Sequence, residues 1–148
     1  MDSYDQSFDA IVAIGMHAGA GNATGFLSHT ITLEDVEYRV NGVPFNESLI
    51  LAAGAARFKI PVIMVSGDDQ LEREIRREMP WVRYATVKSA VNRAQAEALP
   101  RAEALRRIEV AAREALQRLG EARIPEWLGP YRFILTFQIG RASCRERV

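Results

Sequence analysis

Two short runs rich in apolar and β-branched residues constrain this chain more than any other feature: Phe8-Asp9-Ala10-Ile11-Val12-Ala13-Ile14, closed by Gly15, and Pro61-Val62-Ile63-Met64-Val65-Ser66, closed by Gly67. Each has the length of a strand, and neither alternates with polar residues. Continuous runs of this kind belong to strands buried on both faces, as in parallel sheets covered by helices. A parallel pair needs a crossover element, and the sequence supplies one. Asn46 is a good N-cap residue, and Asn46-Glu47-Ser48 opens a helix expected to reach about Phe58. Leu49, Ile50, Ala52, Ala53 and Ala56 give it an apolar, small-residue face suited to packing on a sheet. Lys59 is expected in its last turn, where a cation suits the helix dipole.

The rest of the chain extends this pattern. Met16 to Gly25 is a glycine-rich loop. Ser28 to Val40 reads as extended, and Asn41-Gly42 is a strong hairpin turn. Gln70 to Met79 is a charged helix stopped by Pro80, Trp81 to Val87 alternates as a strand, and Tyr131 to Gln138 is another. Ala102 to Leu119 is the clearest helix, with Leu105, Ile108, Ala112, Ala115, Leu116 and Leu119 as its apolar stripe and Gly120 beyond its end. Trp81, Trp127, Phe45 and Phe58 read as core or interface anchors. The expected fold is α/β: a mostly parallel sheet flanked by helices, with the start of a second small domain at the C-terminus.

At 148 residues and 48% hydrophobic, the chain can build one α/β core, or one core and part of another. Lys and Arg number 19 and Asp and Glu number 19, with no basic stripe, which argues against nucleic acid as a partner. No apolar run approaches the roughly 18 residues of a membrane span, so no membrane partner is expected. Met1 to Phe8 is polar and acidic, unlike a secretory signal, and a cytoplasmic location is the expectation. Ile139 to Val148 breaks off an alternating apolar segment and resembles a translated sequencing adapter. It is expected to lie outside the fold, which would leave Cys144, the single cysteine, without a role.

His17 follows the first buried strand directly, and Gly67-Asp68-Asp69 follows the second. Sites in open α/β sheets form at the carboxyl ends of strands, so both segments stand where a site should be. His29 lies past the glycine loop, and Glu47 opens a helix. Neutral imidazole and carboxylate are zinc ligands. The spacing of His17, His29 and Glu47 matches no local metal motif, and a histidine in a glycine-rich loop also serves as an ordinary hydrogen-bonding residue. Lys88 and Arg93 follow a strand and could reach the same crevice or stay solvated.

Ile14-Gly15-Met16-His17-Ala18, then Gly25-Phe26-Leu27-Ser28-His29-Thr30, then Asn41-Gly42 and Asn46-Glu47-Ser48, then Pro61-Val62 through Ser66-Gly67-Asp68-Asp69, together resemble the D-aminopeptidase family of zinc metallopeptidases. Order and approximate spacing agree from about Asp9 to Phe137. The resemblance implies that His17 and Glu47 are metal ligands, that His29 acts in general acid/base catalysis or polarises the substrate, and that Asp68 supports the site. It also implies two zinc ions per complete site, hydrolysis of the amide bond after an N-terminal D-amino acid in short peptides by metal-activated water, and a homo-oligomer.

The family's other ligands lie in an acidic Asp-x-Glu motif and a further histidine that this chain does not contain. Asp2, Asp5 and Asp9 do not stand in that context. The resemblance therefore implies a fragment. Residues 1–130 would be an α/β metallopeptidase core lacking its N-terminal part, 131–138 the first strand of an incomplete second domain, and 139–148 foreign. Two other readings stand beside it. A nucleotide- or phosphate-binding module would use Gly19, Gly21 and Gly25, although the β-like Ser28 to Thr32 follows where a phosphate-binding helix would be needed. A non-catalytic oligomeric scaffold would use the sheet and helices alone.

Overall fold

The computed structural model describes residue 5 and residues 7–127 and 129–137. The expectations for residues 139–148, and for the last residue of the final strand, fall outside them. A four-stranded sheet is ordered β1-β4-β5-β6, from β1 (Ile11–Ala13), β4 (Val62–Asp68), β5 (Arg83–Asn92) and β6 (Gln95–Ala98). The β1, β4 and β5 strands are parallel, and β6 folds back antiparallel on β5. A three-stranded antiparallel sheet is ordered β3-β2-β7, from β2 (Asp35–Val40), β3 (Val43–Pro44) and β7 (Phe133–Phe137). The helices are α1 (Glu47–Ala56), α2 (Asp69–Glu78) and α3 (Arg101–Gln117). None is long and apolar enough to cross a membrane among the described residues. The architecture is the expected α/β class, a mostly parallel sheet flanked by helices. The β7 strand hydrogen-bonds to β2, with Phe133 opposite Val40 and Leu135 opposite Tyr38.

All seven residues of β4 are buried, which accounts for the continuous apolar run. The strand feeds two cores. Val62 and Val65 pack with Leu49 and Ala52 of α1, with Leu71 and Ile75 of α2, and with Met79 just past its end. Ile63 and Met64 pack with Ala111 and Ala115 of α3 on the other side. Leu71, Ile75 and Met79 are fully buried. Removing each such side chain from water contributes about 1.5–3 kcal/mol.

Local signals act as their chemistry dictates. Asn46 caps α1, its side chain accepting from the Leu49 N–H at 3.0 Å. Asp68 caps α2 in the same way through the Leu71 N–H at 2.8 Å. Asn41 and Gly42 take φ of 50° and 82°, the left-handed pair that a two-residue hairpin turn requires.

The structure departs from expectation in four places. Ser28 to Glu34 is a set of turns rather than a strand, because the buried Asp35 carboxylate accepts from the Ile31 and Thr32 N–H groups and from the Thr32 hydroxyl. These bonds hold residues 31–35 in a tight loop and take the Ile31 and Thr32 N–H groups out of any ladder. Lys59 lies beyond α1, which ends at Ala56, with a φ of 61°. The α3 stripe is rotated from the expected one. Ala111 and Ala115 face the sheet with Ile108, while Leu105 and Leu116 are 55% and 60% exposed. Small alanines let the helix come close to β4, and the leucines then fall outside the contact. The β6 strand is the fourth departure: Gln95-Ala96-Glu97-Ala98 alternates, but its only apolar residues are alanines, which carry no strand signal.

Gly67 sits where β4 passes closest to the start of the glycine-rich loop. A Cβ there would stand 2.6 Å from the Met16 carbonyl oxygen, 2.7 Å from the Tyr84 hydroxyl and 2.9 Å from a Leu71 methyl. The backbone atom among these cannot swing away. Gly67→Ala is expected to lower unfolding free energy by about 1–3 kcal/mol through overpacking. Urea denaturation measures it, and an unchanged midpoint would show that the β4–loop contact is looser than described.

Candidate active site

Hydrogen bonding past the end of β1 places the first candidate residue. The Gly15 N–H donates to the Ser66 hydroxyl at 3.1 Å, and the Met16 N–H donates to the Ser66 carbonyl at 2.9 Å. His17 is thereby delivered to the carboxyl end of the parallel strands. The loop then closes on itself, because the His29 N–H donates to the Ala18 carbonyl at 3.0 Å. That bond brings the two histidines side by side, with ring centroids 5.2 Å apart at 67°. Thr30, fully buried, accepts from the Ala20 N–H at 2.9 Å and donates to the Phe45 carbonyl at 2.8 Å, tying the loop to the segment that enters α1. Glu47 opens α1, and its Oε2 lies 3.9 Å from His29 Nε2.

His29 thus lies between the other two candidates, with its ring against His17 and its Nε2 near Glu47. Asp68 is close to them but differently occupied. One oxygen caps α2, and the other accepts from the Phe26 N–H at 2.8 Å, so this buried carboxylate latches the loop to the end of β4. Above it, the Tyr84 hydroxyl donates to the Asp68 carbonyl at 2.7 Å. Burial first, and the surrounding carboxylates second, push the Tyr84 phenol up, so it remains a donor. Lys88 does reach this region, with Nζ 4.9 Å from the Phe26 ring centroid, and Phe26 in turn stacks 6.2 Å from His17. Arg93 instead donates to the Leu33 carbonyl at 2.8 Å.

The histidines differ in chemistry. His29 Nδ1 stands 2.6 Å from the Leu27 carbonyl, which can only accept, so Nδ1 carries the hydrogen and the Nε2 lone pair faces Glu47 and solvent. A base so held can take or return a proton. His17 Nδ1 is buried and has no hydrogen-bond partner among the described residues. An unpaired buried imidazole nitrogen is costly, and a metal ion is one group that would satisfy it. Burial, then the charges of Lys88 and His29, hold the His17 pKa below its ordinary value, against the opposing pull of the Leu27 carbonyl and Asp68. A neutral imidazole is the ligating form. The donor chemistry thus suits zinc. Among the described residues, however, no three His, Cys, Asp or Glu side chains converge as a metal-binding group.

Sequence reasoning missed one residue entirely. Glu74 of α2 accepts from the Gly19 N–H at 3.0 Å, the Asn22 amide at 2.8 Å and the Asn46 amide at 2.8 Å. In the sequence it is one of several charges on an ordinary solvated helix face, and no signal singles it out. A phosphate-binding role for the glycine loop has no helix to support it, since turns and β2 follow. An apolar cavity of about 340 Å³ lies elsewhere, between α1, β2 and the Pro125–Phe133 segment, and is lined by none of His17, His29 and Glu47.

Residues 1–144 match a family model described as D-aminopeptidase. A D-aminopeptidase of Bacillus subtilis (strain 168) is 30% identical over 117 residues, covering 79% of this chain and 42% of that protein. A solved structure described as the Zn-dependent D-aminopeptidase DppA from Bacillus subtilis, a self-compartmentalizing protease, superposes with a TM-score of 0.79 at 28% identity. The match covers 90% of this chain and 47% of that one, so the chain spans about half the length of the relatives it resembles.

The depressed His17 pKa makes a pH prediction for the metal-free chain. The folded form binds this proton less readily than the unfolded form, whose value is the ordinary 6.5. The stability associated with neutral His17 is therefore complete above that pH and is lost as pH falls through the window below it. NMR titration of the His17 ring should give a midpoint under 6.5. A midpoint at or above the ordinary value would remove the desolvated environment assigned to this side chain.

Proposed function

The chain belongs to the D-aminopeptidase family, and we propose that it is part of a zinc-dependent metallo-aminopeptidase that hydrolyses the amide bond after an N-terminal D-amino acid in short peptides. The observation that carries this reading is the buried, unpartnered His17 Nδ1 beside the His29 ring, whose Nε2 lies 3.9 Å from the Glu47 carboxylate, at the carboxyl ends of parallel strands. The zinc dependence and the D-aminopeptidase description of the solved relative support it.

In this reading His17 and Glu47 hold metal, in a complete site of two zinc ions whose other ligands come from outside the described residues. When bound, zinc supplies polarisation of the amide carbonyl and acidification of the attacking water. His29 takes and returns the proton at Nε2, with its ring orientation fixed by the Leu27 carbonyl. Asp68 acts indirectly, holding the loop that carries both histidines against β4. The self-compartmentalizing description of the relative supports a homo-oligomer here as well. Phe133, Leu135 and Phe137 leave apolar surface on β7 that such an assembly, or the remainder of the protein, could cover.

Three tests follow in the protein extended to the length of its relatives. Chelation should abolish hydrolysis of a D-aminoacyl amide but not of its L enantiomer by a contaminant, and zinc should restore it. His17→Ala and Glu47→Gln should each lose bound zinc along with activity, whereas His29→Ala should keep zinc and lose about 10²–10⁴-fold in kcat. Zinc retained at wild-type affinity in His17→Ala would refute the ligand assignment. A species of monomer mass in sedimentation at working concentration would exclude the oligomer.

A further inference from the structure

We propose that Glu74 is a positioning residue for the metal site: its carboxylate fixes the His17 loop relative to the start of the helix that carries Glu47. This rests on the reading of His17 and Glu47 as zinc ligands. The geometry is particular. Glu74 Oε2 accepts both from the Gly19 N–H, two residues beyond His17, at 3.0 Å, and from the Asn46 side-chain amide, one residue before Glu47, at 2.8 Å. One oxygen atom is therefore shared by the two chain segments that present the proposed ligands. The other oxygen, Oε1, accepts from the Asn22 amide at 2.8 Å and so holds the far side of the same loop.

Neither asparagine can turn around to suit a different partner. Asn46 Oδ1 is committed to the Leu49 N–H at the α1 cap. Asn22 Oδ1 accepts from the Thr24 N–H at 3.2 Å and the Gly25 N–H at 3.0 Å. Both amides must therefore donate toward α2, and the group that receives them must accept at two separate atoms. A carboxylate does this; a glutamine of the same shape has one acceptor and one donor, and must break either the shared bond or the Asn22 bond. Groups that orient metal ligands without touching the metal typically alter metal affinity by about 10–100-fold when changed.

The experiment is a zinc titration of the full protein against a competing chelator, with thermal melts run in parallel, on wild type, Glu74→Gln, Glu74→Ala, His17→Ala and Ile75→Val. Ile75 is a fully buried core residue of the same helix, so its truncation reports loss of stability alone. Glu74→Gln should bind zinc about 10–100-fold more weakly than wild type, with kcat recovered at saturating zinc, while Ile75→Val keeps wild-type zinc affinity. A Glu74→Gln curve that superposes on wild type while His17→Ala loses zinc would overturn the positioning role and leave the ligand assignment standing. Equal weakening in Glu74→Gln and Ile75→Val would also overturn it, since affinity would then track stability. Wild-type affinity in His17→Ala would overturn the ligand assignment and this inference together. If Glu74→Ala fails to fold, the isosteric glutamine variant decides alone.

Discussion

Ser66 is the point on which the arrangement depends. Its carbonyl and hydroxyl receive the N–H groups of Met16 and Gly15, so the chain leaving β1 stays paired with β4 after the strand itself has ended. The side chain is fully buried, and a buried hydroxyl is tolerated only because it is bonded. Without this pairing, a loop containing so many glycines would have no preferred path away from the sheet. With it, His17 has a single address. Gly67, next in sequence, is the only residue type that lets the loop come this close.

The loop is then closed by polar groups in places where apolar packing would be expected. Thr30, Asn46 and Asp68 are each nearly inaccessible to water, and each has its bonds completed by backbone or by a neighbouring side chain. Apolar contacts tolerate sliding, whereas a satisfied buried hydrogen bond has one geometry and a penalty of roughly 1–3 kcal/mol if left unmade. A network of such bonds therefore specifies position more sharply than it adds stability. That is what a loop carrying two imidazoles needs.

The same distinction explains how much could be read from the sequence. The two buried strands, the Asn46 cap, the Asn41-Gly42 turn and the three helices follow from short-range rules, and they appear where those rules put them. His17 was legible as a candidate because it directly follows a buried strand, and the structure sets its ring beside His29, which in turn faces Glu47. What failed depends on particular side-chain and packing partners that residue type and spacing do not announce. Asp35 collapses the segment before β2 into turns through bonds within its own loop, yet an aspartate at a strand start carries no such message. Leu105 and Leu116 have the right spacing for a core stripe, but alanines at 111 and 115 govern how α3 approaches β4. Glu74 is invisible for the same reason, since its three partners lie on the glycine loop and at the α1 cap.

Charge gives the site its last constraint. Burial, with the positive charge of Lys88 and the neighbouring His29 ring, disfavours protonated His17 and leaves its lone pair available. The Lys88 charge would oppose a divalent ion arriving beside it. Lys88 is held against the Phe26 face, where the ring quadrupole partly offsets its charge. Glu47, with a side chain 40% exposed, contributes negative charge at the open edge of the cluster. One neutral imidazole and one carboxylate neutralise only half of a single divalent charge, and the described residues offer no third converging donor. One imidazole and one carboxylate also fall short of the roughly three protein ligands that a catalytic zinc keeps, so a zinc site here needs at least one further donor.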